Sequence, residues 1–183
     1  MPYTTNKQLR KNQCGFTFIE LILYVSILTF MMGALMSFVL VIVQNSEKSA
    51  TQQELGGVGR YLTERLKWET RNAADINAGT SNFGVNFATN SLAQLSLKNF
   101  TPALDPTIFS VSGGQLMVKQ GASAAVALNT SDAKVTSLIF TNNTSGNSKT
   151  KNITFTLTVA EASARQEYSG TISFQSSTEV RSN

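Results

Sequence analysis

A short stretch near the start of the chain, CGFTFIEL at residues 14–21, decides how the rest must fold. It opens an apolar run from Phe16 to Val43 in which Glu20 is the only charged residue. A bilayer core about 30 Å thick needs roughly 20 helical residues, so this run is long enough to cross a membrane as a helix. A carboxylate near the centre of such a helix costs roughly 2.5–3.5 kcal/mol, and it costs less near the helix start. Glu20 is therefore either a tolerated polar residue or a residue with a functional role.

The composition of the 183-residue chain limits what the protein can do. Its length leaves room for one domain and an appendage. The chain has no histidine, which removes the usual general base and the commonest metal ligand. Its single cysteine, Cys14, cannot form an intramolecular disulfide, and no stripe of Lys and Arg indicates nucleic-acid binding. We therefore expect no cofactor, no metal site and no catalytic residue, and the charge pattern does not indicate a nucleic-acid partner, although the head of such a chain could still serve as an adhesin or as a receptor for DNA or a secreted substrate.

The charges around the apolar run predict how it is oriented. Lys7, Arg10 and Lys11 precede it, whereas the charges that follow it nearly cancel. The positive-inside rule then places the N-terminus in the cytoplasm and residues 44–183 outside. A cleaved secretory signal has an apolar core of only about 7–15 residues, so it does not fit this run. A plain signal anchor fits the length but leaves Glu20 without a role.

The residues before and after the start of the apolar run follow a characteristic order. The chain reads Lys11-Asn12-Gln13-Cys14-Gly15 and then Phe16-Thr17-Phe18-Ile19-Glu20. This order resembles the N-terminal signature of the bacterial type IV pilin superfamily: a short basic leader that ends in Gly, then Phe, Thr, two apolar residues and Glu. The superfamily includes pilins, minor pilins and the pseudopilins of type II secretion and competence systems. The resemblance covers residues 9–45, although Phe18 stands where Leu is more usual and the leader is on the long side.

The resemblance implies how the N-terminus is processed. A prepilin peptidase would cut after Gly15, remove residues 1–15 as a leader and methylate the new N-terminal amine of Phe16. Glu20 would then meet the Phe16 amine of a neighbouring subunit in the filament, because a buried carboxylate is tolerated when it is paired. Pairing with the amine of its own chain stays open. Cys14 would leave with the leader.

The same resemblance implies the partners and the location. The partners would be the prepilin peptidase, other pilin or pseudopilin subunits, the inner-membrane assembly platform and membrane lipid. The chain would cross the inner (cytoplasmic) membrane once, with its head outside. It would then enter an extracytoplasmic filament.

The helix predicted from Phe16 continues beyond the membrane segment to about Ile76. Residues 44–78 form an amphipathic continuation, and one apolar stripe repeats along it every three or four residues: Leu55, Val58, Leu62, Leu66, Glu69, Ala73 and Ile76. Glu69 breaks this stripe, and we expect the stripe to pass under Trp68 instead. The helix should stop at the Asn and Gly residues that follow Ile76.

Three glycines interrupt the amphipathic part of the helix, in Gly56-Gly57-Val58-Gly59. Each helical Gly costs roughly 1 kcal/mol relative to Ala. They predict a bend, local melting or close packing against another element. A loop that separates two helices is the alternative.

From residue 79 to residue 183 the spacing of apolar residues changes to two. Alternation with Thr and Ser predicts antiparallel strands with one buried face at 135–140, 153–159 and 168–174, and weaker ones at 83–87, 95–97, 116–118 and 125–128. Gly113-Gly114 predicts a hairpin turn rather than a phosphate-binding loop. The predicted fold class is α+β, with a long N-terminal helix, transmembrane in its first half, packed against an antiparallel β-sheet head as in type IV pilins.

The head resembles that of a minor subunit. Major pilins commonly carry a C-terminal cysteine pair, and major pseudopilins carry an Asp-rich calcium loop. This chain has neither feature. Its single cysteine is Cys14, and its Asp residues, at 75, 105 and 132, are scattered. The segments from Arg60 to Ile76 and from Tyr168 to Phe174, with the tail from Glu179 to Asn183, resemble J-type minor pseudopilins and their minor-pilin relatives.

Two classes of function follow from these observations. The favoured one is a structural subunit, a minor pilin or pseudopilin that joins or initiates a type IV pilus or a type II secretion or competence pseudopilus. The alternative is a membrane-anchored extracellular binding protein, or an enzyme, with a signal-anchor helix. The absence of a convergent polar site indicates that the chain is not an enzyme.

Overall fold

The computed structural model describes residues 15–146, 150–162 and 170–180. The chain divides into two compact units, Met1–Gln44 and Asn45–Asn183. A single α-helix, α1, covers Phe18–Asn72. The strands that follow it, in chain order, are β1 Ala73–Ile76, β2 Gln94–Asn99, β3 Thr107–Ser112, β4 Gln115–Gln120, β5 Val126–Ala127, β6 Ala133–Asn142, β7 Asn152–Glu161 and β8 Thr171–Glu179.

The first half of α1 is apolar all round. Its few hydroxyl groups bond to the carbonyl oxygens one turn back: Ser26 Oγ to Ile22 at 2.8 Å, Thr29 Oγ1 to Val25 at 2.9 Å and Ser37 Oγ to Gly33 at 3.1 Å. Polar side chains that are satisfied in this way add little cost in lipid, where unsatisfied groups are expensive. Among the described residues, α1 is the one helix that is long and apolar enough to cross a membrane, judged by length and composition.

The second half of α1 buries one face. Its buried residues include Leu55, Leu62 and Leu66, which were predicted as part of the stripe. The prediction about Trp68 was wrong: Glu69 is buried, with 3% of its surface exposed, whereas Trp68 is 55% exposed. The Glu69 carboxylate can be buried because Arg65 and Gln120 both bond to it.

The glycine-rich segment does not interrupt α1, so the alternative of two helices joined by a loop is wrong. Close packing, one of the three predicted outcomes, is confirmed at Gly59. A Cβ atom placed on Gly59 would lie 2.0 Å from the ring of Phe174 in β8. A Cβ atom on Gly57 would meet nothing within 4 Å. The two glycines therefore have different structural roles.

The helix ends four residues earlier than predicted. Ala73–Ile76 is strand β1, which pairs antiparallel with β2. Ala73 and Ile76 are buried, as the stripe predicted. They reach the core from an extended backbone, because strand pairing with β2 satisfies the backbone there. Apolar spacing alone did not distinguish these two conformations.

The strands form two antiparallel sheets rather than one. Sheet A has the order β1-β2-β3-β4-β5, and sheet B has the order β6-β7-β8. The predicted strands at 135–140 and 153–159 lie in β6 and β7. The strand predicted at 168–174 corresponds to β8, which begins at Thr171. Gly170 precedes the strand, and Tyr168 and Ser169 lie outside the described residues. Segment 83–87 is wrongly predicted as a strand and makes only a bridge from Asn86 to Ile139.

The predicted hairpin turn at Gly113-Gly114 is confirmed. Ser112 and Gln115 are paired partners at the ends of β3 and β4. The two glycines between them have φ angles of 61° and 80°. Positive φ at both central positions is the type I′ geometry that matches the twist of paired strands, and glycine adopts it without strain.

The core of the head lies between the two sheets and the buried face of α1. Phe140 occupies its centre, with ring centroids 5.1 Å from Phe87 and 5.8 Å from Phe155. A buried amide, Asn129, links the sheets: its Oδ1 accepts from the Leu116 N–H at 2.7 Å and its Nδ2 donates to the Ala133 carbonyl at 2.6 Å. These contacts hold β4 and the start of β6 together.

Candidate processing and docking site

The predicted cleavage point lies just before α1. Gly15, Phe16 and Thr17 have no regular secondary structure and are exposed. A Cβ atom on Gly15 would meet nothing within 4 Å. The fold therefore places no demand on Gly15, and any requirement for glycine there must come from a protein that acts on this segment. Leader residues 1–14 lie outside the described residues.

Glu20 lies in the first turn of α1 and is partly buried. Its backbone N–H donates to Thr17 Oγ1 at 3.4 Å, and its carboxylate Oε1 accepts from the Tyr24 hydroxyl at 3.4 Å. Tyr24 also packs on Phe16, with ring centroids 5.7 Å apart. The sequence predictions missed Tyr24, although its position one helical turn after Glu20 was the signal that could have found it.

This geometry gives Glu20 a partial structural role. Thr17-Phe18-Ile19-Glu20 has the spacing of a capping box, in which a Thr and a Glu satisfy the free N–H groups of a helix start. The bond from the Glu20 N–H to Thr17 Oγ1 is one half of such a box. The carboxylate itself bonds to Tyr24, so its negative charge has a hydroxyl partner but no cation in the part of the chain described here.

Cleavage would change the electrostatics of this site. In the uncut chain, the nitrogen of Phe16 is part of the peptide bond to Gly15 and carries no charge. A cut at this bond would create an ammonium group one turn from Glu20. Glu20 thus presents a carboxylate on an otherwise apolar stretch of α1.

The head has no metal-binding cluster of acidic residues within the described ranges. Asp75 instead forms an ion pair with Lys151. The hydrogen bond from Lys151 lowers the pKa of the Asp75 carboxyl below its usual range. Asp75 is thus paired within the head rather than available as a metal ligand.

A buried polar cluster attaches α1 to sheet A. Arg65 bonds to Glu69 at 2.7 Å, and the Gln120 side chain donates to the same carboxylate oxygen at 3.0 Å. Burial raises the pKa of the Glu69 carboxyl, and the Arg65 guanidinium opposes this shift. The cluster is structural, because each member bonds to another residue of the head.

Comparison with protein families gives one match. Residues 10–36 match the family model described as the prokaryotic N-terminal methylation motif. The matched segment contains Gly15, Phe16 and Glu20, and it overlaps the start of the long helix α1, which the strands of the two antiparallel sheets follow. These findings support membership of the type IV pilin superfamily. No curated protein and no solved structure matches the chain.

The motif also indicates what kind of protein this is. It indicates a type IV pilin-like prepilin that is processed by a peptidase and assembles with other pilin subunits. The motif defines a family of structural pilins rather than a family of enzymes. With the apolar helix, it is consistent with a pilin that is anchored in the membrane by a single span.

Proposed function

We propose that this chain is a minor pilin or pseudopilin. It is cut between Gly15 and Phe16, methylated at Phe16, and inserted through Glu20 into a type IV pilus or a type II secretion or competence pseudopilus. The head lies outside the inner membrane and the uncut N-terminus lies in the cytoplasm. The inner-membrane assembly platform and membrane lipid are its further partners.

One observation carries this proposal. Glu20 is the only residue between Phe16 and Val43 that is charged at neutral pH, and it lies one turn inside the predicted cut. A buried carboxylate without a partner is costly, whereas a buried pair is tolerated. The new ammonium of Phe16 supplies a partner of opposite charge, either in a neighbouring subunit or in the same chain. Both the processing and the charge of Glu20 are explained by this pairing.

The minor-subunit assignment is supported by what the head contains. Residues 16–183 include no cysteine, so the mature chain cannot form the disulfide that is common in major pilins. Asp75, Asp105 and Asp132 are separated in sequence, and Asp75 is paired with Lys151. The resemblance of α1 and the closing strand to J-type minor pseudopilins points in the same direction.

Glu20→Gln tests the proposed role of the charge. Gln keeps the size of the side chain and can still serve in a capping box, while it removes the charge. The variant should insert in the membrane and be cut after Gly15, but filament entry should fall by a factor of 100 or more, since breaking a buried ion pair costs about 3–5 kcal/mol. Co-purification with the other filament subunits at matched membrane levels measures this loss.

Ser37→Ala is the matched control for this experiment. It removes a polar group from the same apolar segment, but the Ser37 hydroxyl is already satisfied by the Gly33 carbonyl. The control should enter the filament like the unchanged chain. Recovery of Glu20→Gln at the same level as Ser37→Ala would show that the charge of Glu20 has no part in assembly.

A further inference from the structure

One long sheet edge of the head is unpaired within the described residues, and it belongs to β8. The outer strands of sheet A are short, with four residues in β1 and two in β5. The outer edge of β6 is covered by the segment around Asn86: the Gly84 N–H bonds to the Phe140 carbonyl at 2.8 Å and the Phe87 N–H to the Leu138 carbonyl at 2.9 Å. β8 has nine residues, and its register with β7 is unbroken.

The hydrogen bonds at the two ends of β8 fix which backbone groups face outward. The Val180 N–H donates to the Lys151 carbonyl, and the Gly170 carbonyl accepts from the Glu161 N–H. Antiparallel pairing alternates, so even-numbered residues of β8 bond to β7. The odd-numbered residues therefore present their N–H and C=O groups at the outer edge: Thr171, Ser173, Gln175, Ser177 and Glu179.

This edge has few of the features that usually prevent strand addition. Natural edge strands are protected by charged residues, above all Lys, by Pro, by bulges, by short length or by a covering loop. β8 contains no Lys and no Pro, its pairing with β7 shows no bulge, and its one charged residue, Glu179, is its last. Within the described residues, the outward backbone groups of β8 are therefore open to another extended segment.

A groove runs between the end of β8 and α1. Its volume is about 860 Å³, and it is lined on the helix side by Glu64, Lys67, Trp68, Arg71 and Asn72 and on the strand side by residues 177–180. Trp68 is the only Trp in the chain, yet more than half of its surface is exposed. The guanidinium carbon of Arg65 lies 5.1 Å from the ring centroid, within the range of a cation–π contact with the indole.

An exposed Trp next to an unpaired strand is typical of a binding surface. Trp residues are enriched among those that contribute most to protein interfaces. Strand addition obtains affinity from backbone hydrogen bonds and specificity from pockets for side chains. The β8 edge provides the backbone hydrogen-bonding groups, and the groove beside Trp68 provides a pocket for a side chain.

We propose that the β8 edge and this groove bind an extended segment from the head of another pilin-type subunit, which adds to sheet B as a fourth strand and places a side chain against Trp68. The proposal rests on the proposed function. The motif indicates assembly with other pilin subunits. Tethering several heads in one assembly raises their effective concentration, so one added strand is enough for a specific lateral contact.

The partner is a different surface of another subunit rather than a second β8. Filaments grow through heterologous contacts, in which one surface meets a different surface of the next subunit. A pairing of β8 with β8 would be isologous and would close as a dimer. The oligomeric composition of the crosslinked product therefore separates these two occupants.

The experiment uses the full chain in cells that assemble the filament, with Ser177→Cys as a crosslinking site. Once the leader has been removed, this is the only cysteine of the chain, because Cys14 precedes the cut. A benzophenone maleimide, coupled to this cysteine through its maleimide and then irradiated, inserts into a C–H bond of the neighbouring protein and needs no second thiol. It should yield an adduct with a protein that carries its own N-terminal methylation motif. Adding Gln175→Pro, which removes one outward N–H and spares the ladder to β7, should lower the adduct yield roughly tenfold or more.

Gln175→Thr is the matched control, because Thr is a good strand former and keeps the backbone N–H. It should leave the adduct yield within about twofold, since a strand-surface Thr keeps the backbone bond that supplies most of the affinity. Limited proteolysis of the mature chain reports whether each variant is folded. Trp68→Ala, at an exposed position, provides a second loss-of-contact variant and should lower the yield severalfold even if Gln175→Pro does not fold.

Other outcomes overturn the proposal. An adduct whose yield is unchanged by both Gln175→Pro and Trp68→Ala would show that this edge is not the contact. So would an adduct between two copies of this chain, an adduct with a protein that lacks the motif, or no adduct at all. A retained leader, or exclusion of the chain from the filament, would instead contradict the proposed function, and both are measured independently of the adduct.

Discussion

The two halves of α1 carry similar apolar residues but present them to different surroundings. Leu23, in the first half, is 53% exposed, whereas Leu62, in the second half, is fully buried. The sheets of the head cover Leu62 and its neighbours. The described side chains of the first half are nearly all exposed, and in the proposed function they meet membrane lipid and other pilin helices. Apolar residues of a single helix can therefore contribute either to assembly or to the folding of the head, depending on what packs against them.

The largest effect should come from Gly15, at the edge of the exposed half. Gly15→Leu should abolish removal of the leader, and Gly15→Ala should be cut poorly, because the peptidase must accommodate this residue while the fold leaves it free. Mass spectrometry of the unchanged protein should show N-methylated Phe16 as its first residue.

Gly33→Ala is the control for Gly15. Its added Cβ also meets nothing within 4 Å, but it lies inside the apolar helix. It should be cut normally. Normal cutting of Gly15→Leu would show that the bond between Gly15 and Phe16 is not the one that is cleaved.

Substitution of one leucine in each half of α1 tests the difference between the two halves. Leu62→Ala should destabilise the head by about 2–5 kcal/mol, because it leaves a cavity in a packed core. Leu28→Ala, in the exposed half, should leave the stability of the head unchanged and should weaken recovery of the filament. Denaturant unfolding followed by the fluorescence of Trp68 measures both variants. Equal stability losses would mean that the apolar half is also packed against the head.

Two glycines in the second half should respond with opposite signs. Gly59→Ala forces the Phe174 ring to move and should cost up to about 2 kcal/mol net, which is the overpacking penalty of about 1–3 kcal/mol less the gain of roughly 1 kcal/mol in helix propensity. Gly57→Ala meets no neighbour and should stabilise the helix by about 0.4–1 kcal/mol. The same unfolding measurement applies. Combining Gly59→Ala with Phe174→Leu should recover part of the loss, because the smaller side chain makes room.

The smallest effect should come from the ion pair between Asp75 and Lys151. Because the pKa of Asp75 is lowered in the folded head, the pair stabilises the head above the unfolded pKa of this carboxyl, and this contribution is lost as the pH falls through the lower folded value. Asp75 is more than a third exposed, so the contribution should stay below about 1 kcal/mol.

Lys151→Met should remove this part of the pH dependence below about pH 4, near the ordinary pKa of an aspartate. Asp132→Asn, which removes an exposed carboxyl without a salt bridge in the described part of the chain, is the control. Unfolding measured between pH 2 and pH 6 compares the two, and identical pH profiles would show that the pair does not contribute.

Several features could be predicted because they depend on neighbours along the chain. The apolar run from Phe16 to Val43, the buried leucines of α1 and the glycine turn at 113–114 each follow from local spacing and backbone preference. The order of residues from Gly15 to Glu20, which carries the resemblance to the pilin superfamily, is likewise a local feature of the chain. The same local information placed β6 and β7, where apolar residues alternate most regularly.

Residue order and spacing predict the type of each surface: an apolar helix with one carboxylate, an amphipathic stripe, and strands with one apolar face. Contacts between distant parts of the chain set where those surfaces end and what packs against them. Pairing with β2 turned Ala73–Ile76 from helix into strand, and Gln120, which is 51 residues away, made it possible to bury Glu69. The physical reason is that hydrogen bonds and packing between distant residues outweigh local preferences of roughly 1 kcal/mol or less per residue, and those distant partners cannot be read from spacing.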